Sequence, residues 1–288
     1  MLSRRGFVRG AAAAMVGAAA APLVAAPLVA APLAKIRALG VMRIAVYRDF
    51  APWAAEREGR LVGIDVDLGK LIASKLGVRG EAIQYIADES VDDDLRNMVW
   101  RGSLLGQAPG DVMMHVPYDR VLGQRNDRAV LIAPYYRESF AMVCNRATTD
   151  CEVPPPQLKG KKLVAELDSI PDFYLSGSFG GVLRPDVKNK LSGEAAVAAV
   201  AAGEADAAVA TRAQVEAGIR AAGDRLTLRK GPLPAMTSPG WNVGMAVRDD
   251  SRDLGDEIER IMEGLAKSGE LAGVFAVHGV EYRPPLLT

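Results

Sequence analysis

Apolar residues along the chain fall into short runs that alternate with stretches of three- and four-residue spacing, the pattern of strands alternating with helices. Residues 41–47, VMRIAVY, read as a strand, and the turn-rich loop after them is punctuated by Pro52, Gly59 and Gly63. Ile64, Leu68, Leu71, Ile72 and Leu76 then form one apolar helix face, ended by Gly77. A strand over residues 82–87 and a helix over 90–105 follow. The helix is capped by Ser90 or Asp92 and carries Asp92, Asp93 and Asp94 in its first turn. Because the helix dipole favours acids there, a solvated helix start is the plainer reading of this triplet than a cation site.

The chain is organised around residues 110–143. A strand opened by Asp111 and closed by Pro117 gives way to a polar loop with Arg120, Arg125 and Arg128, and a second apolar run leaves for another lobe through Tyr135 and Tyr136. The three prolines in residues 153–157 predict an extended linker. Beyond it come a strand within 161–167, a short helix near Pro171 and an alanine-rich helix ending near Gly203. A strand over 206–211 and another helix lead to a strand and loop over 226–240. Residues 241–247 read as a strand returning to the first half, followed by a long amphipathic helix and a shorter one. Alternation that occurs twice, with a break between, argues for two α/β lobes instead of one barrel. The apolar runs over 131–144 and 241–247 are the two expected crossings, a two-strand hinge. Expected boundaries are 1–34 for a leader, 35–142 with 242–288 for the first lobe, and 143–241 for the second.

Composition narrows the function. The 288 residues carry 35 basic and 35 acidic side chains and are 49% apolar, which supplies a sizeable core and no overall field for nucleic acid. Two histidines and two cysteines do not assemble a metal or haem motif, so neither metal nor cofactor is expected. Cys144 and Cys151 bracket a loop-like segment; a local disulfide and two free thiols are both open. The start, SRRGFVR followed by an uncharged alanine-rich run to Ala34, reads as an export signal and resembles the twin-arginine type. Pro22, Pro27 and Pro32 interrupt any membrane-spanning helix. The mature chain is expected to begin within residues 21–35, in the periplasm.

Four blocks carry a family resemblance: residues 39–77, GDVMMH with APYYRESFAMV, GEAAVAAVAAGEADAAVAT, and 240–282. In that order they resemble the periplasmic solute-binding proteins of the type II fold, particularly the polar amino-acid receptors. The resemblance implies a monomeric, non-catalytic clamp that hands a ligand to the permease of an ABC transporter. Asp49, Phe50 and Trp53 in the first loop would border the ligand, the aromatics as flat walls. The loop around Tyr118 would offer a cationic floor for a small acid through Arg120 or Arg125. His115 points to the cleft from a strand end, as a ligand contact or a satisfied core residue. Asp168 and Ser169 sit at a helix start whose N–H groups could face an anion. Thr211 stands where amino-acid receptors carry the acid that holds the substrate amine, which moves the expected ligand towards a small polar anion. The HVPYDRVL block is similar to the J-type proteins found with quinoprotein methanol and alcohol dehydrogenases. It implies an alternative role as accessory partner of a periplasmic quinoprotein dehydrogenase or its cytochrome. An enzyme such as a dehydratase has no nucleophile with a partnered histidine to support it.

Overall fold

The computed structural model describes residues 32–104 and 106–286; the predicted leader lies outside them, apart from its last three positions. Those positions open helix α1 (Pro32–Leu39), whose Leu33 N–H donates to Asp253 and whose Ile36 is buried, so residues 32–34 pack with the folded unit. The chain continues through β1 (Val41–Tyr47), a hairpin of β2 (Ala55–Arg57) and β3 (Arg60–Val62), α2 (Ile64–Lys75) and β4 (Arg79–Tyr85). Next come α3 (Val91–Leu95), extended by a π-helical turn over Arg96–Trp100, then β5 (Val112–Pro117), α4 (Arg120–Arg125) and β6 (Ala129–Glu138). The second half holds β7 (Phe140–Asn145), β8 (Leu163–Glu166), α5 (Ile170–Gly177), β9 (Val187–Lys190), α6 (Gly193–Ala201), β10 (Ala207–Thr211), α7 (Arg212–Ala222) and β11 (Leu226–Leu228). The chain ends with β12 (Trp241–Arg248), α8 (Arg252–Ser268) and α9 (Glu270–Val277). Among the described residues no helix is long and apolar enough to cross a membrane.

The strands form two five-stranded sheets, β4-β1-β5-β12-β6 and β11-β7-β10-β8-β9. In the first, β4, β1 and β5 run parallel and β12 is antiparallel to both β5 and β6. In the second, β10, β8 and β9 run parallel, and β7 is antiparallel to both its neighbours, β10 and β11. Helices cover both faces, which is why the strands read as nearly unbroken apolar runs. Along β1, Met42, Ile44 and Val46 enter one core and Ala45 the opposite one. Along β10, Ala208 and Ala210 face one core and Ala207 and Val209 the other. Helix α8 shows the helical counterpart, burying Leu254, Ile258, Ile261, Met262 and Leu265 along one stripe and ending at Gly269 in the left-handed region.

The chain passes from the first sheet to the second between Glu138 and Phe140 and returns through residues 229–240 to Trp241, which pairs with Glu138. The crossings touch so closely that a Cβ on Gly240, at φ +90, would lie 2.3 Å from the Glu138 carbonyl oxygen. Gly63, at φ +138, is held for the same reason, a Cβ there meeting the Trp53 carbonyl oxygen at 2.2 Å.

Several local expectations change. The proline run is no free extended linker: Pro155–Leu158 forms a 3-10 turn with Pro155 and Leu158 buried. Cys144 and Cys151 are joined in a disulfide. The turn-rich stretch after β1 is not all loop, because residues 55–62 pair as a hairpin. Strand β9, VKNK, has no apolar signal because its side chains lie at a sheet edge, where lysines discourage further pairing.

Candidate ligand cleft

The parallel strands of both sheets end at one cleft of about 800 Å³. This is where open α/β sheets leave loop ends and helix starts unpaired. From the first sheet come Tyr47, Arg48, Asp49 and Phe50 after β1, Ile86 and Ala87 after β4, Val91 and Asp94 on α3, and His115 and Pro117 on β5. Glu166 at the end of β8, Leu191 and Ser192 before α6, and Trp241 at the return crossing complete it from the other side.

Of the residues singled out by sequence, three line this cleft together: Asp49, Phe50 and His115. Asp49 adopts φ +53 and its carboxylate accepts from Arg48 Nε at 3.1 Å. Phe50 meets the His115 ring edge-on at 4.9 Å. Trp53 is not a ligand wall: it is fully buried, packed against His115, Tyr136 and Phe275. Its turn is pulled inward because the N–H groups of Ile64 and Asp65 donate to Pro52 and Trp53 carbonyls.

The arginine floor also dissolves. Arg125 makes a bidentate pair with Asp92, 2.7 Å on each arm, which ties α4 to the start of α3. Tyr118 and Arg120 line a separate hollow of about 550 Å³ with Asn242, Arg252 and Leu286. Asp168 and Ser169 are spent on the start of α5. Ser169 Oγ accepts from Asp172 N–H at 3.2 Å and donates to the Glu166 carbonyl at 2.6 Å, while Asp168 N–H donates to the Asp172 carboxylate. Thr211 caps α7 in a reciprocal box with Gln214 and does not line the cleft.

The acidic triplet divides three ways. Asp92 holds Arg125, and Asp93 is bound by Ser90 and Arg96. Asp94, far from being solvated, is buried in the cleft wall, accepting from Tyr47 Oη at 2.8 Å and Asp88 N–H at 2.7 Å. Burial raises its carboxyl pKa against the pull of those two donors.

An acid does reach the cleft from the second sheet, Glu166 at the end of β8. It is half-buried, accepts from Gly193 N–H at 2.9 Å through Oε2, and burial raises its pKa against that one hydrogen bond. Its place at the end of a parallel strand is the signal by which the sequence marks it. Arg48 and Asp49 pair with one another, so the carboxyl groups left facing the cleft are Asp94 from one side and Glu166 from the other. Phe50, Trp241, Ile86 and Leu191 supply apolar surface. The arrangement suits an organic cation with an apolar body and opposes a free anion. Among the described residues no group of three or more His, Cys, Asp or Glu side chains could hold a metal.

No protein-family model matches the sequence, and no curated protein matches it. Solved structures do. One is an ancestral cationic amino acid solute-binding protein, with TM-score 0.66 and 18% identity over 86% of this chain and 99% of that one. Another is an amino acid ABC transporter substrate-binding protein from Streptococcus pneumoniae bound to L-arginine, with TM-score 0.61 and 19% identity over 86% and 98%. A third is an ancestral amino acid-binding protein described as a precursor of cyclohexadienyl dehydratase, with TM-score 0.57 and 17% identity over 87% and 100%. At such identities the likeness speaks for the fold, and the chain has the two-lobed α/β architecture of the type II periplasmic binding proteins.

Proposed function

We propose that this chain is a periplasmic solute-binding protein that captures a small organic cation in the cleft and delivers it to the permease of an ABC transporter. The observation that carries this reading is the cleft's charge: with Arg48 and Asp49 paired, Asp94 and Glu166 remain, one from each side, with no free cation among the described lining residues. It replaces the anionic ligand expected from the loop arginines, since Arg120 and Arg125 face elsewhere. The names of the neighbours lend support, one binding cationic amino acids and one holding L-arginine. The role is binding without turnover. One neighbour is named as the precursor of a dehydratase, and the resemblance to it is one of fold.

Thermal unfolding of the purified protein with L-arginine, L-lysine, a polyamine and a set of dicarboxylates tests the reading. A ligand at a hundred times its Kd stabilises by about 2.7 kcal/mol, enough to move the midpoint by degrees. Cations are expected to raise the midpoint; a rise with dicarboxylates alone would overturn the proposal.

A second reading, docking to a periplasmic quinoprotein dehydrogenase, has one observation in its favour. The HVPYDRVL block that suggested it places Tyr118 and Val121 on the surface and outside the cleft, available to a protein partner. Co-purification with such a dehydrogenase, with no ligand-dependent change in unfolding, would favour it.

A further inference from the structure

His115 occupies an unusual position on the cleft floor. It lies within β5 yet at φ +61, a conformation that side-chain-bearing residues rarely adopt. Its imidazole is bracketed by Phe50 at 4.9 Å and Trp53 at 4.4 Å between ring centres, so it has little freedom to turn. Behind it lies Asp65, 1% exposed on the first turn of α2. Asp65 Oδ1 accepts from the Tyr135 hydroxyl at 2.6 Å, and Asp65 Oδ2 lies 3.3 Å from His115 Nδ1. Among the described residues neither of these last two atoms makes a hydrogen bond, to the other or elsewhere.

Two consequences follow from that geometry. A bare Nδ1 would set its lone pair against a buried carboxylate oxygen, and turning the ring over would put a C–H there and leave the carboxylate unpaired. A proton on Nδ1 gives the carboxylate oxygen a donor at 3.3 Å, which a small shift turns into a hydrogen bond for both atoms. With Tyr135 already donating to the other oxygen, Asp65 then faces a donor on each oxygen. His115 lines the cleft and Nδ1 is its buried nitrogen, which leaves Nε2 as the nitrogen open to the cleft.

We infer that Tyr135 and Asp65 fix His115 with its proton on Nδ1, so that the cleft floor presents Nε2 as a hydrogen-bond acceptor and selects ligands with an N–H donor there. The class is alkylammonium or guanidinium, and carboxylates are rejected because two acceptors would meet. Asp65 and Tyr135 are positioning residues in this scheme; His115 is the group that touches ligand. The inference rests on the cleft being a solute site, and it adds the atom that reads the solute.

The test uses the full folded protein without ligand. Nitrogen-15 NMR of the imidazoles at mildly alkaline pH reports which ring nitrogen holds the proton, and with two histidines in the chain a His278→Gln variant assigns the signals. His115 is expected as the Nδ1–H tautomer. An Nε2–H ring, or one protonated on both nitrogens, overturns the inference. Asp65→Asn then offers an amide that can donate to Nδ1, and the ring is expected to switch to Nε2–H, turning an acceptor into a donor.

Calorimetric titration follows the consequence with L-arginine and L-glutamate as probes. The arginine-to-glutamate preference is expected to fall at least tenfold in Asp65→Asn, a change that a merely structural role would not produce. An unchanged preference alongside a switched tautomer would refute the selectivity. Tyr135→Phe provides a second variant should Asp65→Asn fail to fold, with a smaller loss of preference expected and an unchanged preference counting against the scheme. If the unaltered protein takes up neither probe, the solute-site reading fails and the selectivity with it, while the tautomer is still decided by NMR.

Discussion

Replacing Glu138 by glutamine removes a titrating group from the point where the chain first crosses between the sheets. The side chain is fully buried, Oε1 accepts from Ser139 N–H at 2.8 Å, and Oε2 has no partner among the described residues. Burial pushes its carboxyl up to about 8, against the main-chain N–H groups of Ser139, Ala213 and Arg212, with the nearby Glu216 adding to the rise. The native state therefore holds this proton more tightly than the unfolded chain, whose carboxyl has the ordinary value of 4.5. Stability from this group is complete below the unfolded value and is lost as pH rises through about 8. The gap corresponds to about 5 kcal/mol at roughly 1.36 kcal/mol per pH unit. Glutamine mimics the protonated acid at every pH, so Glu138→Gln is expected to lack this loss. Urea unfolding from about pH 5 to about pH 9, with m-values compared to exclude a change in the unfolded state, measures the difference. The variant should gain several kcal/mol on the wild type between those limits, on the order of the figure above. Parallel stability curves for the two proteins would refute the reasoning, because a carboxyl that costs nothing to ionise cannot be buried as described.

Glu166→Gln should weaken binding of a cationic ligand by about 2 kcal/mol, roughly thirtyfold in Kd by titration calorimetry. Because burial raises the Glu166 pKa, wild-type affinity should decline as pH falls through that raised value, a decline missing from the variant. Arg120→Ala and Arg125→Ala should leave ligand affinity unchanged, and loss of the exposed Arg125 pair with Asp92 should cost less than about 1 kcal/mol in denaturant unfolding. Reducing the Cys144–Cys151 bridge, which closes a short loop, should lower stability by about 2.5 kcal/mol on the loop-entropy scale, read from denaturation with and without reductant. Gly63→Ala should cost about 3 kcal/mol, since a Cβ 2.2 Å from a carbonyl oxygen forces the Trp53 turn away from α2; an unchanged midpoint would show that the turn yields freely.

Much of the architecture was readable because each helix and strand writes its own period. The predicted strand over 41–47 is β1, and the apolar face from Ile64 to Leu76 is α2. The long last helix stands out as α8. The misses share a cause. The hairpin β2–β3 and the edge strand β9 bury little on either face, so neither writes a pattern. Among site residues, Asp49, Phe50 and His115 were accessible because they lie close to the C-terminal ends of parallel strands. The arginines misled because a positive loop next to a strand end looks like an anion site until its partners are known. Arg125 had its partner 33 residues earlier, in Asp92.

By itself, the sequence determined the alternation of elements, the two-sheet division and the rough position of the cleft. These follow from local periodicity and from the rule that ligands gather at the ends of parallel strands. Tertiary structure alone decided the sign of the cleft and the orientation of its groups. Both depend on contacts between residues far apart in the chain: Tyr47 with Asp94, Tyr135 with Asp65, Glu166 with Gly193. A side chain's charge is fixed by its own chemistry, but whether a ligand meets that charge is fixed by what the fold has already set against it.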